Sequence, residues 1–235
     1  MPAPIVLLAP GVYRIPTLGD YINSFAFVDE DGQVTLVDAG LTRAPARIVA
    51  ALAGIGKRPS DVTRILLTHA HADHAGGARE LLDRTGRSGV DVHEQDAGFV
   101  REGRAPSQLS TMGRLISRSP MGTFAAVPVE TELHDGDVLE VAGGLRVVHT
   151  PGHTPGHISL LHEDTGVLIT GDALMNMASR MRYSFAMVCT SAHQNEQSAH
   201  VLGELEYSVA AFTHGPEIRE NARERVREFL RMAPT

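Results

Sequence analysis

Short apolar runs rich in Val, Ile and Leu recur along the chain, and we interpret them as buried β-strands. Four of these runs are each followed, within a few residues, by a histidine or an aspartate. The four are Arg64–Leu67 before His69, Leu145–Val148 before His153, Val167–Ile169 before Asp172 and Val209–Phe212 before His214. Because residues just past the carboxyl ends of strands lie at one edge of a sheet, where loops build active sites, the pattern predicts one shared pocket.

The same pattern predicts hairpins and helices between these runs. The predicted hairpins pair residues 21–28 with 33–37, flank a turn at Asp135–Gly136, and pair residues 158–161 with 167–170. The predicted helices cover about residues 44–53 and 75–82, and Gly86 ends the second of them. A last helix is predicted to open with Pro216 and Glu217 and to place apolar residues such as Val226 and Leu230 on one face.

The composition fits one compact protein. The chain has 235 residues, of which 43% are apolar and 21% charged, so it can bury a sizeable core, and we expect residues 1–235 to form a single domain. A formal net charge of -7 disfavours nucleic acid as a partner, because phosphate binding needs a clustered basic surface. The sequence has neither a secretion signal at its N-terminus nor an apolar segment long enough to span a membrane, so we expect a cytoplasmic protein.

The densest candidate chemistry lies between Thr68 and His74, where the sequence is Thr-His-Ala-His-Ala-Asp-His. Imidazole nitrogens and carboxylate oxygens are the groups that Zn²⁺ and similar ions bind. Alternation places His69, His71 and Asp73 on one side of an extended chain, with His74 directly after them. A histidine-rich surface loop is the alternative, but so many ligand-type groups in so short a segment favour a metal site.

The H-x-H-x-D-H arrangement resembles the signature of the metallo-β-lactamase superfamily, and further segments match the family's pattern in order. They are Val37-Asp38-Ala39-Gly40, Thr150-Pro151-Gly152-His153, Gly171-Asp172 and Thr213-His214-Gly215. The resemblance covers about residues 12–231. It implies an α/β fold, an αβ/βα four-layer sandwich in which two mixed β-sheets are flanked by helices.

By this resemblance, two divalent metal ions would share the pocket, with Zn²⁺ as the first expectation and Fe or Mn as alternatives. The implied ligands are His69, His71 and His153 for one ion, Asp73, His74 and His214 for the other, and Asp172 as a bridge. A divalent ion lowers the pKa of bound water towards roughly 7, which makes hydroxide available near neutrality. Asp73 would be the catalytic residue that orients this nucleophile or passes its proton to the leaving group.

Asp38 and His157 are expected just outside these ligands. By analogy with the family, Asp38 would accept a hydrogen bond from a metal-binding histidine, although its position before Ala-Gly also suits a simple turn residue. His157 lies four residues beyond His153; among the remaining histidines, most simply interpreted as turn, surface or core residues, it is the one best placed to touch the pocket.

Within the superfamily, the chain resembles small hydroxyacylglutathione hydrolases of the glyoxalase II type, mainly because Asp172 stands where one lactamase subclass has cysteine. This implies hydrolysis of an acyl bond, a thioester or ester, in a small-molecule substrate. Longer glutathione-thioester hydrolases have an additional helical region after the position of His214, so the thiol partner stays open. The alternatives are a lactonase, a β-lactamase-like amide hydrolase, an iron-dependent persulfide dioxygenase and a non-catalytic metal-binding sensor.

Two further features have competing interpretations. Cys189 is the single cysteine and is predicted to be a buried, inert residue rather than a thiolate ligand. Six of the eight methionines lie in two stretches, Met112–Met121 and Met175–Met187. These stretches either cover the metal edge, as an apolar substrate pocket or a homodimer contact, or pack loops onto the core.

Overall fold

The structure, a computed structural model, describes residues 5–106 and 123–232. Its first sheet contains, in spatial order, β1 (Val6–Ala9), β2 (Val12–Pro16), β3 (Asn23–Val28), β4 (Val34–Val37), β5 (Val62–Leu66), β6 (Val90–His93) and β7 (Val129–Leu133). Strands β1 to β4 pair antiparallel, whereas β4 to β7 pair in parallel. The sheet is therefore mixed.

The second sheet is also mixed. Its strands are β8 (Val138–Leu139), β9 (Leu145–His149), β10 (Ile158–His162), β11 (Val167–Ile169) and β14 (Val209–Ala211), again in spatial order. Neighbouring strands are antiparallel except β11 and β14, which are parallel. A separate hairpin consists of β12 (Leu174–Met177) and β13 (Arg180–Tyr183).

Most of the helices follow strands that have a parallel neighbour. The α-helices of the described residues are α1 (Pro45–Gly54), α2 (Ala72–Ala75), α3 (Ala78–Thr85), α4 (Glu94–Glu102), α5 (Ala192–Ala199) and α6 (Ala222–Met232). Single 3₁₀ turns are formed by Pro59–Asp61, Ala186–Val188 and His200–Gly203. None of the helices in the described part of the chain has the length and hydropathy that crossing a bilayer requires.

The packing of these elements gives four layers. Successive side chains of a strand point to opposite faces, and Leu36 and Val37 accordingly belong to different apolar clusters. Val37 joins the cluster between the two sheets, where Phe27 packs with Leu160 and other residues of the second sheet. Leu36 faces the cluster that includes Ile48 of α1, while a third cluster joins the outer face of the second sheet to α6. The predicted αβ/βα sandwich is confirmed.

Two local predictions are wrong. The turn at Asp135–Gly136 does not close a hairpin, because β7 pairs with β6 in the first sheet whereas Val138 of β8 pairs with Arg146 in the second. The turn instead carries the chain from one sheet to the other. The last helix begins at Ala222 rather than at Pro216, because the backbone of Ile218 exchanges two hydrogen bonds with Ala210 and so extends the sheet.

The four apolar runs that precede candidate ligands are strands, as predicted. His69, His153, Asp172 and His214 follow the ends of β5, β9, β11 and β14 by three or four residues. Strand β5 belongs to the first sheet, and β9, β11 and β14 belong to the second. The loops beyond these strand ends therefore bring residues of both sheets to one edge of the sandwich.

Candidate metal centre

Three imidazoles meet at this edge, and we name His69, His71 and His153 the three-imidazole group. The Nε2 atom of His69 lies 3.1 Å from Nδ1 of His71 and 3.1 Å from Nε2 of His153. Nδ1 of His71 and Nε2 of His153 are 2.8 Å apart. His69 and His153 are buried, and His71 is partly exposed. Three ring nitrogens at such mutual distances can contact one small cation together.

A second cluster lies beside the first, and we name Asp73, His74 and His214 the mixed group. Oδ2 of Asp73 lies 3.6 Å from Nε2 of His74 and 3.4 Å from Nε2 of His214. Asp172 lies between the groups: Oδ2 is 3.3 Å from Nε2 of His153 and 3.2 Å from Nε2 of His214, and Oδ1 is 3.4 Å from Nε2 of His74. Its carboxylate can therefore contact cations in both groups.

Asp38 supports His74 from behind. Its Oδ2 accepts a hydrogen bond of 2.8 Å from Nδ1 of His74, and its Oδ1 accepts one of 2.8 Å from the backbone N–H of Thr68. The Asp38 backbone is left-handed, with φ of 61°, a conformation that aspartate tolerates better than most residues. When the His74 ring is neutral, this hydrogen bond from Nδ1 leaves the lone pair on Nε2, which faces the pocket.

His157 supports Asp172 in a similar way. Its Nε2 accepts a 2.7 Å hydrogen bond from the backbone N–H of Asp172, and its Nδ1 donates to the carbonyl of Thr150 at 2.9 Å. Burial lowers the pKa of His157 to about 4, which keeps the ring neutral and suits this donor and acceptor pattern. His157 therefore contacts the backbone of a candidate ligand rather than the pocket itself.

The outer nitrogens of His153 and His214 also have partners. Nδ1 of His153 lies 2.8 Å from Oγ of Ser184, and Nδ1 of His214 donates to the carbonyl of Tyr21 at 2.5 Å. Cys189 is buried, and its Sγ lies 3.6 Å from the same Nδ1 of His153. Burial raises the pKa of the Cys189 thiol to about 11, so it is a protonated thiol on the side of the ring that faces away from the pocket.

The electrostatics differ between the two groups. Burial lowers the pKa of His71 to about 4 and holds the pKa values of His69 and His153 well below the usual range. Burial also acts on His214, but the Asp172 and Asp73 carboxylates together outweigh it and raise the pKa of His214 to about 10. The three-imidazole group thus offers neutral nitrogens, the form that coordinates a cation, and the carboxylates attract positive charge to the mixed group.

The donor set fits divalent metal ions. It combines five imidazoles and two carboxylates, which suit zinc and other first-row transition metals. Nε2 of His74 is buried and has no hydrogen-bond partner among the described residues, although a buried polar atom is normally paired. A cation in the pocket would satisfy this atom. The Asp73 side chain, 33% exposed, marks the side on which the cluster opens to solvent.

The structure brings together all seven residues that the sequence analysis proposed as metal ligands, and it sets Asp38 and His157 against them. The hairpin carrying Met175 lies beside the cluster, since the N–H of Asn176 donates to the carbonyl of His214. Met175 is buried, but Met187 is 61% exposed. The stretch Met112–Met121 lies outside the described residues.

Sequence reasoning missed two supporting residues. Ser184 directly follows strand β13, and a single serine gives no pattern to detect. Asp96 lies in the first turn of α4 and is fully buried. Its sequence context, Glu94-Gln95-Asp96, is typical of an exposed helix start, and its contact with the ligand loops becomes visible only in three dimensions.

Comparisons with known proteins agree with the geometry. The family model described as the metallo-beta-lactamase superfamily matches residues 18–232. The uncharacterized protein YobT of Bacillus subtilis is 30% identical, with 88% of each chain covered. The probable metallo-hydrolase YybB of the same organism is 27% identical over 83% of this chain and 81% of its own. A hydroxyacylglutathione hydrolase of Cereibacter sphaeroides is 30% identical over 69% of this chain and 51% of its own length, so this chain spans about half of that relative.

Solved structures resemble the whole fold. A metallo-β-lactamase with a HARLDQ motif from Cronobacter sakazakii superposes with a TM-score of 0.75, covering 98% of this chain and 92% of its own at 20% identity. The FEZ-1 metallo-β-lactamase of Legionella gormanii gives a TM-score of 0.67, covering 91% of this chain and 81% of its own, also at 20% identity. At such identities the likeness establishes the architecture.

Proposed function

The chain belongs to the metallo-β-lactamase superfamily, and we propose that it is a metal-dependent hydrolase that cleaves an acyl bond, a thioester or ester, in a small-molecule substrate. The observation that carries this proposal is Asp172, whose two carboxylate oxygens contact histidines of both ligand groups. That arrangement suits a bridging ligand between two cations. The cytoplasmic location, the single domain and the absence of nucleic-acid partners stay predictions, and homodimer formation stays open.

In this proposal the three-imidazole group holds one divalent ion, the mixed group holds the second, and Asp172 contacts both. Zn²⁺ is the first expectation from the imidazole-rich donor set, with Fe and Mn as alternatives. When bound, such ions lower the pKa of water towards roughly 7 and polarise a carbonyl oxygen. Those two effects supply the nucleophile and the electrophile that acyl hydrolysis needs.

Asp73 is the proton carrier in this scheme. Its Oδ2 lies within 3.6 Å of His74 and His214, and its partial exposure leaves it accessible to water and substrate. The ionised carboxylate can accept the proton that water loses on attacking the acyl carbon and return it to the sulfur or oxygen that leaves.

The sequence identities favour thioesters and esters over β-lactams. The relatives with a named substrate at 30% identity are hydroxyacylglutathione hydrolases, whereas the structurally similar lactamases share about a fifth of their residues with this chain. The chain covers about half of the length of those hydrolases, so glutathione itself is not assigned as the thiol partner. The groups on either side of the acyl bond stay open.

The experiment is a substrate panel with metal control. The purified protein is treated with a chelator, divided, and supplied with Zn²⁺, Mn²⁺ or Fe²⁺ before assay on S-acyl thioesters, aryl esters, lactones and nitrocefin. We expect metal-restored hydrolysis to be fastest on thioesters or esters. Oxygen uptake with persulfide substrate and iron would identify the dioxygenase alternative. No metal-restored turnover of any acyl substrate would favour the non-catalytic sensor and overturn the proposal.

A matched pair of variants tests the role of Asp73. We expect Asp73→Asn to lower kcat by about 10²-fold or more, since general acid–base catalysis contributes about 10²–10⁴-fold. Asp83 lies on the exposed side of α3, and Asp83→Asn changes the net charge equally without touching the cluster. Equal activity of the two variants, with metal content matched, would remove Asp73 from the proton path.

A further inference from the structure

Asp96 is a buried carboxylate that touches two separate ligand loops. It accepts three hydrogen bonds: from the backbone N–H of Ala70 to Oδ2 at 2.8 Å, from the hydroxyl of Thr154 to Oδ2 at 2.7 Å, and from the backbone N–H of Gly156 to Oδ1 at 2.7 Å. All three partners are donors, so both oxygens act as acceptors. A carboxylate meets this requirement with short, charge-assisted bonds.

The partners of Asp96 lie next to candidate metal ligands. Ala70 stands between His69 and His71, and Thr154 directly follows His153. The first loop follows β5 of one sheet and the second follows β9 of the other. The Asp96 carboxylate therefore joins the two loops whose imidazoles form the three-imidazole group.

Glycine at position 156 allows this contact. A Cβ atom added to Gly156 would lie 2.5 Å from the backbone nitrogen of Asp96 and 2.9 Å from its Cγ, closer than real Cβ contacts permit. The loop after His153 and the start of α4 are thus packed backbone to backbone. The close approach places the Gly156 N–H within hydrogen-bond reach of the carboxylate.

Burying this carboxylate costs free energy, and packing alone does not explain why an acidic residue stands here. Asp96 is 0% exposed, and burial raises its pKa against the effect of its three donors. An ionised side chain without a basic hydrogen-bond partner is expensive to bury, and apolar residues of similar size often give equal or greater stability. A role in holding the loops accounts for its presence.

We propose that Asp96 is a positioning residue that clamps the His69–His71 loop to the His153 loop and thereby sets the geometry in which the three-imidazole group binds metal. The clamp does not extend to the mixed group, whose members His74 and His214 are held by Asp38 and by the carbonyl of Tyr21. The inference rests on the proposed metal-binding function. It predicts that loss of the Asp96 carboxylate weakens metal binding by the three-imidazole group and not by the mixed group.

The test compares the metal affinity of each group. In a His214→Ala background the three-imidazole group is the complete one, and in a His71→Ala background the mixed group is complete. Zn²⁺ affinity is measured in both backgrounds by competition with a chromophoric chelator, with and without Asp96→Asn. The amide keeps the size of the side chain but presents a donor to at least one of the groups that now donate to Asp96.

We expect Asp96→Asn to weaken Zn²⁺ binding by about tenfold or more in the His214→Ala background, the scale seen when a group that orients metal ligands is lost. In the His71→Ala background we expect a change under threefold. A purely structural role would lower the thermal midpoint of the metal-free protein and leave both affinities unchanged. That outcome, or equal weakening in both backgrounds, would overturn the clamp.

Variants of Thr154 keep the inference testable if Asp96→Asn does not fold. Thr154→Ser retains the hydroxyl that donates to Asp96, whereas Thr154→Val removes it at nearly constant volume. We expect Thr154→Val to weaken Zn²⁺ binding in the His214→Ala background and Thr154→Ser to leave it unchanged. Equal Zn²⁺ affinities of the two variants would overturn the clamp. Absence of Zn²⁺ binding by the parent protein would instead overturn the proposed function on which the clamp rests.

Discussion

Asn23 fastens the loop that carries His214 to the first sheet, and its removal gives a sharp test of the structure. The Asn23 amide is fully buried and donates to the carbonyls of Phe212 and Gly215 at 2.9 and 2.8 Å. Its Oδ1 accepts a hydrogen bond of 2.9 Å from the guanidinium of Arg14. The substitution Asn23→Ala removes all three contacts.

The expected cost follows from the groups left behind. Two buried carbonyls lose their donor, and a buried polar group without a partner costs about 1–3 kcal/mol. Because water can enter the space left by the amide, we take the lower half of that range and expect a total of about 3 kcal/mol. Arg14 keeps Asp20 and Glu217 as partners at 2.8 and 2.9 Å, so no buried charge is left unpaired.

The exposed partner of the same arginine provides the control. The Asp20 side chain is 62% exposed, and exposed ion pairs contribute under about 1 kcal/mol. Asp20→Ala removes one contact of 2.8 Å to Arg14, whereas Asn23→Ala removes one of 2.9 Å together with the two buried contacts to carbonyls. The two variants are therefore expected to differ in cost by about 2 kcal/mol or more, and the difference tests whether the buried contacts to the carbonyls carry the stability.

The assay is urea unfolding of the metal-free proteins. Unfolding is monitored by far-UV circular dichroism because the chain contains no tryptophan. A loss of about 3 kcal/mol corresponds to a fall of roughly 6–12 °C in the thermal midpoint of a domain of this size. If Asn23→Ala unfolds within about 1 kcal/mol of the parent protein, or if Asp20→Ala costs as much, the reasoning is refuted.

Three further predictions concern other supports of the fold and the site. Asp38→Asn is expected to weaken Zn²⁺ binding by about tenfold or more, because an amide cannot accept hydrogen bonds on both sides as the carboxylate beside His74 does; unchanged affinity in chelator competition would contradict this. Gly215→Ala is expected to lower the free energy of unfolding, since φ is +107° and the added Cβ would lie 2.0 Å from the carbonyl oxygen of Asn176; parental stability in urea would contradict it. Burial lowers the pKa of His93 to about 4, so this residue contributes stability that is complete above pH 6.5 and lost as the pH falls towards 4, at most about 3 kcal/mol. In metal-free protein, His93→Asn should flatten that part of the stability profile, and an unchanged slope would exclude His93 as its source.

The parts of the fold that could be predicted were those with a local physical cause. Residues 167–169 form a continuous apolar run, and residues 34–37 form one interrupted only by Thr35, because their strands are buried on both faces. The segment from His69 to His74 concentrates ligand-type groups at a density that surface loops rarely reach. Strand ends then placed the remaining candidates at a common edge, because parallel strands carry their following loops to the same side of a sheet.

The parts that could not be predicted depend on pairing between distant segments. The turn at Asp135–Gly136 has the same residues whether its flanking strands pair with each other or diverge into two sheets. Which pairing forms depends on the other strands that are available to each of them. Likewise Pro216 suits the first turn of a helix, but Ile218 pairs with Ala210 instead. Asp96 is a polar residue in the first turn of a helix. The loops that bury it follow other strands, β5 and β9.

The two sheets meet at the candidate metal centre, and this explains why its supports are not local. A histidine ligand is oriented by the partner of its outer nitrogen, and for His74, His153 and His214 that partner lies at least 31 residues away in the chain. The ring directions are therefore fixed by the packing of the sandwich rather than by the loop that carries each ring. Metal binding would therefore depend on geometry that the packing of the sandwich sets. The same linkage explains why a buried amide such as Asn23, which touches no candidate ligand side chain, bears on the site: it holds the carbonyls on either side of His214.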